Sequence, residues 1–526
     1  MVQKFLAGVS LFAILSATAE AQNNGAGLEG KIERLQQQMQ DMQKELDSLR
    51  TEQKKAKDEA QRQQESSAQQ LETTRTDILE QTTNILSRTR IGGYGSMRFE
   101  GNSLDEQENT FTFRRFVLTA EGNIAPRLSY GFELEFERFR KLELEKEIGR
   151  DSGGVRVKQA VEGTSDSEIA LEQAWLQYDL TDWLSLRGGA MLVPLGRFNI
   201  RHDDNLWNLP RRSLVDKGVP VLPAAAAWDE LGFGLIGKTP IGEQASLAYQ
   251  LYVMNGVSLD YELEDIVHTR TPRRSKLEAE VEMSPSTGTF GNDPKEAKSL
   301  AGRLAFSPAL GHELAGSFYW GRYTPQFLTK ANVFSLSFDG LTHLGPIELE
   351  GEYVFSHFED LRSVARSFAK TVHHQAREVE SEFSPDLETE IAFELANLAQ
   401  TKHGYWLEAR YPFWPDFLSQ SILGWELANP QLVPVLRWEQ VWMPSLLREA
   451  AFENGALTAF KTESRFINRI TAGLSYRPHP LVAFTLAYEY TWTNRNKSLS
   501  NVSNFLPALA RENKSSAILA GMTFGF

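Results

Sequence analysis

The chain has 526 residues, and its 55 Lys and Arg against 69 Asp and Glu give a net charge of −14. This acidic balance argues against nucleic acid as a partner. The absence of cysteine excludes disulfides, thiolate metal sites and cysteine nucleophiles. Aromatic residues are 11% of the chain although the mean hydropathy is −0.36, which is atypical of a helical membrane protein.

Residues 1–21 have the features of a signal peptide. Lys4 precedes the apolar stretch 5–15, and residues 19–21 form a small-x-small cleavage site, so the mature chain is expected to begin at Gln22. A membrane helix needs roughly 20 apolar residues, and no later segment meets this length. Because lipid tolerates only helices and closed barrels, we expect an exported protein that is either soluble or a closed barrel.

Residues 22–90 are predicted to form a helical, coiled-coil segment in the periplasm. Apolar residues recur at alternating spacings of four and three, which is an a/d heptad seam: Leu28, Ile32, Leu35, Met39, Met42, Leu46 and Leu49. The seam weakens over 51–85. The predicted role is to help the protein oligomerise, and a single amphipathic helix or a disordered charged linker are the alternatives.

From residue 91 the apolar period changes from seven to two. In residues 130–137, apolar side chains alternate with Gly131, Glu133, Glu135 and Glu137. Such alternation suits a soluble sheet with one wet face, and equally a barrel with lipid outside and water inside. We predict strands over 91–101, 111–122, 128–139, 169–180, 184–194, 231–239, 245–256, 299–306, 312–322, 332–340, 346–358, 403–412, 432–442, 465–477, 482–493 and 515–526.

The lengths of these segments and of their connections favour the barrel. A tilted strand crosses lipid in about 9–11 residues, and short turns alternate here with long charged loops, as in bacterial outer-membrane barrels. We therefore predict that residues 91–526 are all-β, an antiparallel transmembrane β-barrel of about 16 strands. The last strand ends on Phe526 and resembles the C-terminal signature of such barrels, so outer-membrane lipid and the barrel assembly machinery are predicted partners.

Short motifs in the predicted barrel resemble the phosphate-selective porin O/P family. They are Phe-Arg-Arg-Phe-Val-Leu-Thr-Ala-Glu-Gly at 113–122, Leu-Glu-Gln-Ala-Trp-Leu-Gln-Tyr at 171–178, the segments 186–197 and 249–256, and Arg-Trp-Glu-Gln-Val at 437–441. The resemblance implies a passive, 16-stranded outer-membrane channel, usually a homotrimer, that needs no cofactor. Basic residues that line the pore give the family its anion selectivity.

We therefore predict a porin that lets small hydrophilic solutes or ions diffuse across the outer membrane, with phosphate-like anions as candidates. The alternative is an envelope tethering protein, in which the barrel is mainly an anchor and the coiled coil binds peptidoglycan. A barrel enzyme is the third class, but the chain has no nucleophile motif. We predict no enzymatic activity and no catalytic residues.

The connection after the fifth predicted strand is the candidate constriction. In porins a long loop folds into the lumen, and charged side chains there set ion preference. Residues 197–217 carry five basic side chains against three acidic ones, which predicts mild anion preference. The basic candidates are Arg197, Arg201, Arg211, Arg212 and Lys217. The loop has two alternative placements, inside the barrel without touching the permeant or on the surface with its charges solvated.

Charged residues on the inward face of the strands are candidates for the pore wall. The basic ones are Arg115, Arg187, Arg303, Arg410 and Arg469, and the acidic ones are Glu133, Glu135, Glu348 and Glu350. The arginines can form a basic strip along the pore or pair with the glutamates, and we favour pairing.

Two histidine motifs contain residue types that bind metal ions. They are His202-Asp203-Asp204 and His373-His374, and neither has the convergent ligand spacing of a known site. The sequence therefore predicts neither a metal nor any other cofactor.

Overall fold

The computed structural model describes residues 37–45, 47–49, 51, 54–55, 88–104, 109–137, 142–151, 154–163, 168–270, 273–285, 296–380, 388–395, 398–453, 456–499 and 512–526. The chain divides into two units between residues 87 and 88. The predicted signal peptide, residues 1–21, lies outside the described residues.

The described residues of the first unit, which fall between positions 37 and 55, are helical. Three residues of the predicted seam, Met39, Met42 and Leu49, are exposed in the single chain. The helix agrees with the heptad pattern, while the coiled coil itself stays a prediction. Among the described helices, none combines the length and the apolar character that crossing a membrane requires.

The second unit is built from β-strands. In chain order they are β1 (Thr89–Asn102), β2 (Thr110–Ala125), β3 (Leu128–Glu137), β4 (Leu142–Asp151), β5 (Gly154–Gly163), β6 (Glu168–Asp179), β7 (Ser185–Leu192), β8 (Asp229–Ile241), β9 (Ala245–Met254), β10 (Ser258–Arg270), β11 (Arg273–Ser284), β12 (Ser299–Ala309), β13 (His312–Arg322), β14 (Asn332–Leu344), β15 (Ile347–Phe358), β16 (Glu388–Leu395), β17 (Thr401–Arg410), β18 (Gln431–Glu453), β19 (Ala456–His479), β20 (Val482–Thr493) and β21 (Lys514–Gly525). The described connections contain two α-helices, α1 (Arg197–Ile200) and α2 (Leu361–Glu380).

Sixteen of these strands close into one antiparallel ring. Their order is β1, β2, β3, β6, β7, β8, β9, β12, β13, β14, β15, β17, β18, β19, β20 and β21. β21 pairs back onto β1, from Ala517 opposite Asn102 to Gly525 opposite Tyr94. Closure matters because an unpaired N–H or C=O group in lipid costs several kcal/mol. The predicted fold class is confirmed, and each of the sixteen predicted segments coincides with one strand of the ring.

The long connections contain structure that the sequence did not predict. β4 and β5 form a separate hairpin, while β11 pairs in parallel with β16, which in turn pairs with β18. The prediction of a loop over 443–464 was wrong, because β18 and β19 continue as a paired hairpin to Glu453 and Ala456. Pro444 cannot donate a ladder hydrogen bond, and the ladder accommodates it in an irregularity between Met443 and Leu446.

The wall of the ring is apolar outside and polar inside. On β20, Leu486 and Tyr488 are 58% and 50% exposed, while Glu489 and Thr491, which point to the lumen, are buried. A soluble protein would show the opposite arrangement. The exposed apolar face is the surface that lipid covers in a transmembrane barrel.

The connection between β17 and β18 is long, although the neighbouring connections at that end of the barrel are short turns. Its Ile422 and Trp425 are 93% and 67% exposed. Trp414 of the same connection stacks on Tyr476, an outward residue of β19, with ring centroids 6.1 Å apart. Residues 411–430 therefore lie against the outside of the wall at its rim, where aromatic rings anchor membrane proteins at the interface.

The apolar outer face predicts a position-dependent effect of added charge. Leu304 lies in the middle of β12 and is 53% exposed. We expect Leu304→Arg to lower the free energy of unfolding in lipid vesicles by about 2–4 kcal/mol, because the charge enters the hydrocarbon region.

Leu310, which is fully exposed in the turn after β12, offers the matched control. The change Leu310→Arg should alter stability by less than about 0.5 kcal/mol. Urea titrations of both variants followed by tryptophan fluorescence make the comparison. Equal effects at the two positions would contradict a lipid-facing Leu304.

Candidate functional site

The connection between β7 and β8 lies inside the barrel. It contains α1, a 3-10 turn over Asp204–Leu206 and a π-helical turn over Leu214–Gly218. Gly196 precedes α1 with a φ of 83°, a left-handed conformation that suits glycine. A Cβ atom there would lie 2.6 Å from Glu352 Oε1. Glycine therefore lets the loop enter the lumen close to the wall.

Charged side chains of the wall bind the backbone of this loop. Glu439 accepts a hydrogen bond from the Leu214 N–H at 2.9 Å, and Arg469 donates to the Arg212 carbonyl at 2.7 Å. The other bonds of this kind are Phe198 N–H to Glu352 (3.2 Å), Arg98 to Pro210 O (2.8 Å), Arg437 to Arg211 O (3.1 Å), Lys402 to Pro220 O (3.2 Å) and Arg477 to Trp207 O (2.8 Å). Since these partners come from β1, β15, β17, β18 and β19, the loop is fixed to a broad arc of the wall.

An aromatic cluster packs between the loop and the wall. Phe198 of α1 stacks on Trp207 with ring centroids 4.1 Å apart and planes 12° apart. Trp406 of β17 meets both rings edge-on, at 6.1 and 5.7 Å. The Arg437 guanidinium lies 5.7 Å from each of the three ring centroids. The apolar core of the protein thus lies inside the barrel, where it helps to hold the loop.

The structure places all five candidate constriction residues in the lumen. Arg197, Arg211 and Arg212 are buried, with 3–4% of each residue exposed. Arg201 keeps 40% of its side chain exposed. Burial and, to a smaller extent, the charge of Arg212 lower the pKa of Lys217 to about 8. The loop is therefore not a solvated surface loop, and Arg201 is the most accessible arginine among its candidates.

The buried loop arginines form ion pairs with carboxylates of the wall. Arg197 contacts Glu350 and also Glu313, the latter at 2.6 Å. Arg211 contacts Glu489 at 2.6 Å as well as Glu100. Such pairing offsets the free-energy cost of burying charge. It also cancels most of the positive electrostatic potential of these side chains.

Arg212 pairs with an acidic residue of its own loop, Asp204, at 3.5 Å. Burial by itself raises the pKa of Asp204, but the guanidinium groups of Arg115 and Arg212 outweigh this effect and hold that pKa below its usual range. Asp204 therefore remains a carboxylate and links the loop to β2 through Arg115, at 3.6 Å.

Most of the candidate wall residues pair with one another or with further carboxylates. The pairs are Arg115 with Glu135 (2.8 Å), Arg410 with Glu350 (2.7 Å) and Glu348 (3.1 Å), Arg303 with Asp339 (2.5 Å) and Arg469 with Glu439 (2.5 Å). Arg187 differs, because it donates to the Gln177 amide oxygen at 2.7 Å and lies 4.0 Å from the Trp175 ring centroid. Glu133 accepts from Gln173 at 2.5 Å.

Two β-bulges place additional charge in the lumen. In β2, Arg114 is the extra residue between Phe113 and Arg115, so both arginines are buried inside. In β6, Glu172 is the extra residue opposite the step from Glu133 to Leu134, and it too is buried. A bulge breaks the strict alternation of strand faces, and for this reason period-two analysis missed Arg114 and Glu172.

Other functional residues were missed because their partners are distant in the sequence. Glu439 and Glu489 lie 225 and 278 residues from the loop atoms that they bind. The alternation in Arg437-Trp438-Glu439 does predict inward charges, but no local signal pairs them with the loop. Asp339 and Trp406 were missed in the same way.

A cavity of about 800 Å³ lies beside α1. Its wall comes from β6–β9, β12 and β13 and from the turns that join β2 to β3 and β6 to β7. Six basic and three acidic residues line it: Arg127, Arg187, Arg197, Arg201, Lys238 and Arg303, with Asp179, Asp182 and Glu313. The lining is thus basic although the chain as a whole is acidic.

The chain is similar in sequence to one protein family and to one curated protein. Residues 91–339 match the family described as phosphate-selective porin O and P, which confirms the predicted resemblance. A protein of Aquifex aeolicus (strain VF5), with the description "Uncharacterized protein", is 24% identical over 245 residues, or 43% of this chain and 50% of that protein. The chain thus spans about half the length of this curated relative.

Two solved structures have a similar fold. The anion-selective porin from Comamonas acidovorans has a TM-score of 0.45 at 9% identity, over 83% of this chain and 99% of that chain. The outer membrane channel DcaP of Acinetobacter baumannii has a TM-score of 0.41 at 8% identity, over 83% of this chain and 97% of that chain.

The contacts between wall carboxylates and the loop predict how much stability is lost when one of these carboxylates is removed. We expect Glu439→Gln to destabilise the barrel by about 3 kcal/mol, because Arg469 stays buried without its nearest carboxylate. Urea unfolding in vesicles measures the loss, and single-channel recordings should become noisier as the loop loosens.

Glu348→Gln is the matched control. Its side chain is 27% exposed, and its partner Arg410 keeps Glu350 and Glu408. Its removal should cost less than about 1 kcal/mol. A Glu439→Gln variant as stable and as quiet as this control would mean that the loop does not depend on the Glu439 contacts.

Proposed function

We propose that the chain is a passive outer-membrane channel with a preference for small hydrophilic anions, phosphate among them, and the match of residues 91–339 to the phosphate-selective porin O and P family supports this proposal. The single observation that carries the preference is the basic lining of the cavity beside α1. An anion in this cavity would face more positive than negative side chains.

The cations that act on a permeant ion are those without a strong carboxylate partner. Arg201 is half-exposed, and its nearest carboxylate, Glu350, lies 3.4 Å away and also binds Arg197. Arg187 is held by an amide oxygen and an aromatic ring. Over the part of the chain that the structure describes, neither Arg187 nor Lys238 has a carboxylate within 4.0 Å. These three side chains are the proposed selectivity element.

Local charge can outweigh the net charge of the chain. Two unit charges 4 Å apart interact by about 1 kcal/mol in bulk water and by about 4 kcal/mol at an effective dielectric constant of 20. Charges on the exterior loops act from beyond the screening length of roughly 8 Å at physiological salt. The cavity cations therefore dominate the potential that an ion feels in the narrow region.

The proposed assembly is a homotrimer in the outer membrane, with residues 22–90 in the periplasm. The motive is the family resemblance together with the heptad seam, which gains stability when helices pair. Deleting residues 22–88 should leave a heat-modifiable barrel and weaken the oligomer. Native mass measurement of both forms tests this, and a monomeric full-length protein would refute it.

The selectivity proposal predicts a shift in reversal potential. In planar bilayers under a KCl gradient, the wild type should favour chloride. The triple variant Arg187→Gln, Arg201→Gln, Lys238→Gln should lower the chloride-to-potassium permeability ratio several-fold, because each lost cation removes roughly 1 kcal/mol or more of attraction for a nearby anion.

An equal charge change on the exterior is the control. Lys330, Arg366 and Arg495 are exposed, and replacing all three with Gln should leave the permeability ratio unchanged. A wild type that is clearly cation-selective, or equal shifts in both triple variants, would overturn the proposal. A folded barrel that conducts no ions would instead favour the tethering function.

A further inference from the structure

Three buried side chains from three separate elements converge in the lumen. Glu133 lies on β3, Glu172 on β6 and His202 in the loop between β7 and β8, and one ligand atom of each lies within 4.8 Å of the others. We propose that Glu133, Glu172 and His202 bind a divalent transition-metal ion of the Zn²⁺ class. The site joins the constriction loop to the wall and is separate from the cavity proposed to select anions.

The imidazole of His202 is held in the orientation of a metal ligand. Its Nδ1 lies 3.1 Å from the Asn199 carbonyl oxygen, so Nδ1–H donates there and Nε2 is the nitrogen that a metal ion would bind. Nε2 lies 3.1 Å from Glu172 Oε2. Metal-binding histidines commonly donate their second nitrogen to a backbone carbonyl, which fixes the ring.

Asn199 is itself fixed in place. Its side chain donates to the carbonyl oxygens of Val193 and Trp228 and accepts from the Trp228 N–H at 2.7 Å. The residue is fully buried. The imidazole of His202 is therefore positioned by a residue that is itself held by three hydrogen bonds.

The Glu133 carboxylate has an oxygen that nothing satisfies. Glu133 is 5% exposed, and its Oε1 has no hydrogen-bond partner among the described residues. Gln173 donates to the other oxygen at 2.5 Å. In the described part of the chain, no Lys or Arg side chain pairs with Glu133 within 4.0 Å. A buried carboxylate oxygen without a partner costs at least 1–3 kcal/mol, and a metal ion at this position would satisfy it.

The charge balance of the cluster also calls for a cation. Glu133 and Glu172 are buried carboxylates, and Asp203 adds a third, with Oδ1 3.6 Å from His202 Nε2. The nearest basic group, His202, can carry at most one positive charge. A divalent cation would balance two carboxylates beside a neutral imidazole, which a single shared proton does not.

A backbone irregularity brings Glu172 into the cluster. In a regular strand, Leu171 and Gln173 share a face and Glu172 points the other way. The bulge in β6 turns both Glu172 and Gln173 to the lumen, while Leu171 stays 53% exposed on the outside. Bulges of this kind re-aim side chains near functional sites.

The donor set selects the class of ion. Imidazole nitrogen suits Zn²⁺ and its first-row neighbours, whereas Mg²⁺ and Ca²⁺ prefer oxygen donors alone. Ligand bonds of about 2.0–2.2 Å leave donors about 3–4 Å apart around one ion, which a small closing of the present spacing reaches. Asp203 or a water molecule would complete the coordination.

The test is Zn²⁺ binding to the full-length protein in detergent after EDTA treatment and dialysis. Isothermal titration and elemental analysis should give one Zn²⁺ per barrel. His202→Ala, Glu172→Gln and Glu133→Gln should each weaken binding by at least about tenfold, since even second-shell partners cause losses of that size. Heat-modifiability on gels confirms that each variant is folded, and Glu133→Gln leaves the His202–Glu172 contact intact.

Glu230→Gln is the matched control, because Glu230 is a buried lumenal glutamate outside the cluster. This variant should bind Zn²⁺ as the wild type does. Absence of stoichiometric binding to the wild type would overturn the proposal and leave His202 and Glu172 as a simple ion pair. Undiminished binding to all three cluster variants would equally overturn it, since the ion would then lie elsewhere.

Discussion

The buried ion pairs between the β7–β8 loop and the wall are the interaction on which the structure of the lumen depends. An arginine such as Arg197 or Arg211 could not remain inside the barrel unless carboxylates of other strands neutralised it. The closed ladder supplies those carboxylates at fixed positions, because closing the ring fixes the stagger of each strand against its neighbours. The conformation of the loop therefore depends on the positions of the charged residues in the wall.

This dependence explains which charges remain available to a solute. The arginines that fix the loop are neutralised by ion pairs with Glu350, Glu489 and neighbouring carboxylates. They therefore add little positive electrostatic potential to the lumen. Arg187 and Arg201 do not hold the loop in this way, and their side chains line the cavity. The lumen thus holds two kinds of arginine, those neutralised by a close carboxylate and those without a strong carboxylate partner, and the proposed anion preference would rest on the second kind.

The fold was largely predictable from the sequence, and the site only in part. Period-two alternation and connection lengths gave all sixteen strands of the ring, because lipid imposes one rule on every strand. The same rule failed at Arg114 and Glu172, where a bulge adds a residue without any composition signal. The alternation rule also could not pair Arg211 with Glu489, since a contact between a loop and a distant strand leaves no local signal in the sequence of either.

The net charge of −14 is a poor guide to the lumen for the same reason. Composition sums the exterior loops, the wall and the loop between β7 and β8, although an ion inside the barrel would approach only the last two. Inside, carboxylates outnumber cations around His202, while cations outnumber carboxylates beside α1. Both regions include residues of the loop, His202 in one and Arg197 and Arg201 in the other, so the position of this one element affects the electrostatics of each.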